Sequence, residues 1–330
     1  MNTQYPFYKS LFGHSQVIPP GIDIANISRV IDVGTGTGAW ALDFASHPEV
    51  QRRNIQIFAC DIDDTKFLQG NKPAAKHVSF FKQDVTKPFP DELLGTFDLV
   101  NVLLLCCALT SRGWKMALQN MRSLLSEWRS VPADFPHYFC AGPGGRLVIR
   151  DCDLIMYDHE HPPPPEGQEP DAAAYMQGTS ILANVNRIFI GGALRKGFVV
   201  GCAFLPLYNA KRFSSPSNRL SYEFPEMFRS APFRILSSRR VEIPIGNHCD
   251  LYTGTDGTSL SQYKATSVKN CIQLLDMTSK AMMKDGGLVL ANGTTISSES
   301  ERQALMEDIM HFVSEGGSGV ISEWVVERPF

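Results

Sequence analysis

An α/β fold is what the sequence predicts: one seven-stranded, mostly parallel sheet with helices on both faces, the last strand antiparallel, plus an N-terminal arm and helical insertions. Three observations carry this. Short apolar runs alternate with segments of helical spacing through the first half of the chain, as parallel strands joined by crossover helices do. A glycine turn at Gly34, Gly36 and Gly38 follows the first run and opens a helix. Two late alternating runs, the second closing the chain, supply a pair that suits antiparallel packing.

The elements follow in order. Residues 1–28 hold Tyr5, Pro6, Phe7, Tyr8, Phe12, Pro19 and Pro20 and precede the first strand. They are expected to form an arm that covers core surface or a lid over a ligand. Arg29–Val33 is the first strand, and Trp40, Ala41, Leu42, Phe44 and Ala45 give the helix behind the glycines. The runs 54–61 and 77–84 read as strands, each stopping at an acid, Asp61 and Asp84. Residues 97–105 are almost continuously apolar, as a central strand buried on both faces should be. Met116, Leu118, Met121, Leu124, Leu125 and Trp128 keep helical spacing, and 144–151 is a fifth strand. Pro162 to Pro165 cannot continue a helix or a central strand, so a loop is expected there. Ile181, Leu182, Val185, Ile188 and Phe189 share one helical face within 172–198. Strands at 233–245 and 319–328 enclose a helix near 259–284 and another opened by Ser298 and Glu301, a capping-box pair, and closed at Gly316 and Gly317. One domain over 29–330 is expected, with a ligand-binding half at 29–151 and insertions with the final strands at 152–330.

Composition bounds the function. Of 330 residues 43% are hydrophobic and 20% charged, ordinary for a globular protein, and the formal net charge of −3 argues against nucleic acid as the main partner. Eight cysteines are scattered without a Cys-x-x-Cys pair or a histidine spacing that completes a zinc site, so no metal is expected. The N-terminus lacks a charged start followed by an apolar core, and the longest apolar run, 99–109, is too short to span a bilayer. A cytoplasmic protein without a membrane span is the expectation.

The glycine turn describes a nucleotide-type pocket, because a ligand can approach a backbone without Cβ atoms and the helix start offers N–H groups. Gly34-Thr-Gly-Thr-Gly-Ala39 even satisfies a loose dinucleotide fingerprint, with Asp61 downstream to hold a ribose. Asp32 separates the readings. A carboxylate about 4 Å from a pyrophosphate would cost on the order of 4 kcal/mol at an effective dielectric near 20. A ligand bearing a sulfonium and an ammonium would be attracted instead.

Asp32-x-Gly-x-Gly-x-Gly38, the acids ending the second and third strands, and the Phe97-Asp-Leu-Val strand together resemble class I S-adenosylmethionine-dependent methyltransferases, whose fold is Rossmann-like. The stretch from Val33 through Ala45, with Ile309-Met-His311 and the closing Trp324 to Phe330, is similar to the fungal group that includes secondary-metabolite methyltransferases and LaeA-type regulators. The resemblance implies S-adenosyl-L-methionine as cofactor. It implies that Gly34, Thr35, Gly36 and Gly38 line the methionine portion, with Asp32 facing the amine directly or through water. Asp61, with Ile62 beside it, would accept from the ribose hydroxyls. Asp84 would meet the adenine amino group with Val85 along the ring, and Asn101 would contact the methionine end. For Asp43 and Asp98 a solvated or capping role is expected.

The resemblance implies methyl transfer to O, N or C of a hydrophobic small molecule, a fungal secondary metabolite. A LaeA-like regulator acting through protein partners, a non-methylating reaction on the same fold and an NAD-dependent dehydrogenase are the alternatives. If the acceptor is an alcohol or phenol, a base helps; His14 in the arm, His159 after the fifth strand and His311 on the last helix are the candidates, and the choice stays open. Tyr5, Tyr8, Phe204 and Tyr208 are candidates for acceptor contact, within an arm and a 204–228 segment rich in aromatics. That aromatic stripe suits a pocket wall, plain core or a homodimer contact.

Overall fold

The computed structural model describes residues 4–13, 17–67, 76–127, 144–166, 168–171, 174–195, 220–284 and 286–329, with backbone alone for 191–195. In chain order the elements are α1 (Gln4–Leu11), β1 (Arg29–Val33), α2 (Ala39–Ala45), α3 (Pro48–Arg53), β2 (Gln56–Asp61), β3 (Val78–Lys82), β4 (Leu99–Leu103), α4 (Ser111–Leu124), β5 (Arg146–Tyr157), α5 (Ile181–Arg195), α6 (Leu220–Ser230), β6 (Arg234–Ile245), α7 (Lys264–Lys284), β7 (Leu288–Val289), β8 (Thr295–Ile296), α8 (Glu299–Glu315) and β9 (Gly317–Glu327).

Seven strands form one sheet in the order β3-β2-β1-β4-β5-β9-β6, and β7 with β8 makes a separate hairpin. The first five strands are parallel; β9 runs antiparallel between β5 and β6. The strand order reverses at β1, which lies between β2 and β4, so a crevice opens at the carboxyl ends of those strands. The glycine turn stands in that crevice.

Local chemistry sets the boundaries. Gly38 caps α2 in the left-handed region, φ 81°. Thr110 caps α4 by accepting from the Gly113 N–H at 2.9 Å. Ser298 and Glu301 form the reciprocal capping box at the start of α8. Asp98 accepts from the Ser28 and Arg29 N–H groups at 2.8 and 3.1 Å, which pins the start of β1 beside β4.

Core packing covers both faces. On one face Trp114 of α4 meets Phe224 of α6 edge-on at 5.1 Å, and Phe228 lies 5.7 Å from Trp324 of β9. Of the aromatic stripe, Phe224 and Phe228 are core, fully buried on α6, Tyr222 is half-buried, and Phe204 and Tyr208 lie outside the described residues. On the other face α2 buries Trp40 and Phe44 against β1 and β2, and the arm adds Val17 and Ile27. The arm holds a helix, α1, whose Phe7 and Leu11 pack with Phe12 against Ile243 and Ile321. Helices α5, α7 and α8 enclose a further apolar cluster. No helix among the described residues is long and apolar enough to cross a membrane, and no group of three or more His, Cys, Asp or Glu among them is placed to hold a metal.

Candidate functional site

Gly34, Gly36 and Gly38 all take positive φ, 71°, 57° and 81°. At Gly34 an added Cβ would lie 2.6 Å from the Leu105 side chain, and at Gly38 it would lie 2.7 Å from the Phe80 ring. Both packing and dihedral therefore require glycine there. The turn is stapled to the end of β2: the Gly34 and Thr35 N–H groups donate to the Cys60 carbonyl at 2.9 and 3.0 Å, and the Gly36 N–H donates to Asp61 Oδ2 at 2.8 Å.

Asp32 lies beneath the turn and is buried. Thr35 Oγ1 donates to its Oδ2 at 2.5 Å and Asn101 Nδ2 to its Oδ1 at 2.7 Å. Burial pushes its pKa up to about 6, against the pull of those two hydrogen bonds. Each Asp32 oxygen thus already holds a protein donor, so any reach toward a ligand amine uses the remaining lone pairs.

Asp61 spans the crevice mouth, with its second oxygen accepting from the Asp63 N–H at 3.0 Å. Ile62 beside it is 62% exposed, an unusual placement for an isoleucine. Asp84 turns back on Thr86, accepting from its N–H and hydroxyl at 2.9 and 2.7 Å. The Val85 carbonyl takes the Asn120 amide at 2.8 Å. The structure thus brings Asp32, Asp61, Asp84 and Asn101 to one edge of the sheet, around the glycine turn.

Asp151 belongs to the same edge, and its role was not read from the sequence. It is fully buried at the end of the predicted fifth strand and accepts the Leu105 and Cys106 N–H groups at 3.0 and 3.1 Å and the Cys152 N–H at 2.8 Å. It thereby fixes the loop behind β4, where Leu104 takes a positive φ of 60°. Burial pushes its pKa up to about 7 against those hydrogen bonds. The available signal was its position: it closes the expected run 144–151 as Asp61 and Asp84 close theirs, although β5 continues to Tyr157.

The arm meets this edge. Asp43, expected to be solvated, instead accepts from the Tyr5 hydroxyl at 2.5 Å and from Lys9 Nζ at 2.7 Å, tying α1 to α2. Burial and Asp43 together raise the Tyr5 pKa well above the ordinary tyrosine value. Tyr8, Leu104 and Cys152 pack against the same buried cluster as Phe7, Leu11 and Phe12. The Val17 carbonyl accepts from Trp40 Nε1 at 2.9 Å and Arg150 Nη1 at 3.1 Å. Arg150 pairs with Glu323 at 2.7 Å, and the Arg150 and Arg239 guanidiniums both lie over the Phe12 ring, 5.1 and 4.8 Å from its centroid.

The histidine candidates are not drawn together. His159 is 80% exposed beside Glu160, His161 pairs with Asp158 at 3.0 Å on the same loop, and His311 is exposed on α8. His14 lies outside the described residues.

Residues 30–127 match the family described as Methyltransferase domain. The chain is similar to Methyltransferase grgD of a Penicillium species, 32% identical over 118 residues, which covers 34% of this chain and 39% of that protein. It is also similar to N-methyltransferase gliN of Aspergillus fumigatus, 27% identical over 124 residues, 38% of this chain and 41% of that one. A solved SAM dependent methyltransferase from Aquifex aeolicus is 16% identical, covering 72% of this chain and 87% of its own, with a TM-score of 0.39, too loose a likeness to bear on function. The matched stretch spans about two fifths of the length of either fungal relative.

Proposed function

We propose that this chain, which contains a class I S-adenosylmethionine-dependent methyltransferase domain, transfers a methyl group to O, N or C of a hydrophobic small molecule of the kind fungal secondary metabolism makes. The observation that carries the donor half is the bond from the Gly36 N–H to Asp61. In a phosphate cradle the turn's amides aim at the anion. Here the Gly34 and Thr35 amides are taken by the Cys60 carbonyl and the Gly36 amide by the Asp61 carboxylate, both at the end of β2. That surface suits a ribose and a cationic methionine end and repels a pyrophosphate.

On this reading Asp61 accepts from the ribose hydroxyls with lone pairs that Gly36 and Asp63 leave over. The exposed Ile62 and Val85 cover the adenine ring, and Asp84 accepts from its amino group. Asp32, through Thr35 and Asn101, holds Gly34, Gly36 and Gly38 in the shape that receives the methionine portion. The bound cofactor supplies a methyl group on a sulfonium, already activated toward a nucleophile. The chain's own contribution is alignment, which is worth roughly 7–11 kcal/mol in favourable cases. The arm places Tyr8 beside the loop that Asp151 fixes, at the acceptor side of the crevice, whereas Tyr5 acts through Asp43.

Incubation of the protein with a deuteriomethyl donor and fungal extract, followed by mass spectrometry, tests this. A small product heavier by one labelled methyl is expected. Donor binding without any labelled product would favour the LaeA-like regulatory reading.

A further inference from the structure

A second polar cluster lies away from the glycine turn, where β5 runs on past its parallel neighbours. Tyr157 ends β5 and pairs in register with Ser318 of β9; Arg240 of β6 pairs with Ser322. Those two serines are four residues apart on one strand, so Tyr157 and Arg240 rise on the same face of the sheet. The Pro-rich loop and α6 lie over them: Arg240 Nη1 donates to the Pro164 carbonyl at 2.7 Å, and its guanidinium lies 5.9 Å from the Tyr222 ring centroid.

Arg240 Nε and Nη2 are buried and have no hydrogen-bond partner, and neither does the hydroxyl of the fully buried Tyr157. None of the ion pairs among the described residues includes Arg240. Asp171 and Asp158 act with Arg240 on Tyr175, whose ring packs on Tyr157, and Asp153, which acts on Tyr157 itself, accepts from the Ser221 N–H at 3.0 Å and the Ser221 hydroxyl at 2.6 Å. Buried donors without partners are costly, more so on a charged group. Nε–H and one Nη2–H are parallel on a single edge of the guanidinium and match the two oxygens of a planar carboxylate. Arg240 and Asp153 both act on the Tyr157 hydroxyl, with opposite sign. The Asp153, Asp158 and Asp171 charges around this pair of tyrosines disfavour a dianion, so a monoanion fits better than a phosphate.

We infer that Arg240 and Tyr157 form a site for the carboxylate of a small-molecule ligand, with the guanidinium edge taking both oxygens and the tyrosine hydroxyl donating to one of them. The inference stands independently of the donor pocket.

Arginine Nε–H resonances of the 330-residue chain, recorded while acetate is titrated at constant ionic strength, test it. Acetate is the probe because it is the smallest carboxylate with a neutral isostere, acetamide. The resonance assigned to Arg240 by its loss in Arg240→Lys should shift saturably with acetate and stay still with acetamide. In Tyr157→Phe the same shift should need several-fold more acetate. An Arg240 resonance indifferent to acetate, or one that follows acetate and acetamide alike, would overturn the inference. Unchanged S-adenosylhomocysteine binding in the parent and in Tyr157→Phe reports that the fold and the donor pocket are intact, so failure of this site is distinguishable from failure of that one.

Discussion

Asp32 of β1 and Asn101 of β4 are register partners, and the Asn101 side-chain amide donates to Asp32 Oδ1 at 2.7 Å. With Thr35 on the other oxygen, one buried carboxylate joins the central strand pair to the glycine turn. The turn's shape depends on that charge-assisted pair of hydrogen bonds, each worth about 1.5–3 kcal/mol. Asp32→Asn is expected to weaken S-adenosylhomocysteine binding by at least about tenfold, read by calorimetry, because ~1.4 kcal/mol is tenfold in affinity.

Gly38→Ala places a Cβ 2.7 Å from the Phe80 ring at a φ of 81°. Left-handed strain of about 1–2 kcal/mol adds to overpacking of about 1–3 kcal/mol. Gly21→Ala meets the same kind of φ, 86°, with nothing within 4 Å. Urea unfolding should show Gly38→Ala losing roughly 2–5 kcal/mol and Gly21→Ala roughly 1–2 kcal/mol. Equal losses would mean that the Phe80 contact is unimportant.

Asp43 accepts from both Tyr5 and Lys9 of α1. Asp43→Ala should loosen the arm before it destabilises the sheet. Hydrogen exchange in residues 4–13 is expected to speed up by roughly tenfold or more, from a loss of about 1–2 kcal/mol, while β1 and β4 keep their protection. Uniform acceleration along the chain would contradict this.

Asp151 predicts a pH dependence. Its carboxyl titrates at about 7 in the fold, above the ordinary value near 4. Between those values the folded state holds a proton that the unfolded state has released. Stability from this group is therefore full below about pH 4 and is lost as pH rises through about 7. Asp32, raised to about 6, acts in the same direction over a narrower window. Urea midpoints should fall from pH 4 to pH 8 more steeply in the parent than in Asp151→Asn. Parallel profiles would contradict the assignment.

Much of this was legible in the sequence. The five parallel strands, the glycine turn and the Ser298–Glu301 capping box are local patterns, and the structure holds each within a few residues of its expected place. The acids ending the strands stand together because parallel strands bring their carboxyl ends to one edge. What was not legible depends on partners far along the chain. Asp43 meets Tyr5 38 residues away, and Asp151 works through backbone amides 45 and 46 residues earlier, which no side-chain motif records. Helix α6 is hidden in the sequence by Pro225 within it, and whether Phe224 and Phe228 form pocket wall, core or dimer contact depends on Trp114 and Trp324, which lie far along the chain and pack against them. Asp32 pointed to the right ligand class from its charge, although both its oxygens turn out to hold protein donors.

The central claim is that the glycine turn, with Asp61 at its mouth, receives S-adenosylmethionine. Calorimetric titration of S-adenosylhomocysteine and of NADH into the parent and Asp61→Ala tests it most directly. The parent is expected to bind S-adenosylhomocysteine and not NADH, and Asp61→Ala to bind it at least about tenfold more weakly through lost charge-assisted hydrogen bonds. Equal affinity in the two proteins, or NADH binding in place of S-adenosylhomocysteine, would contradict the account.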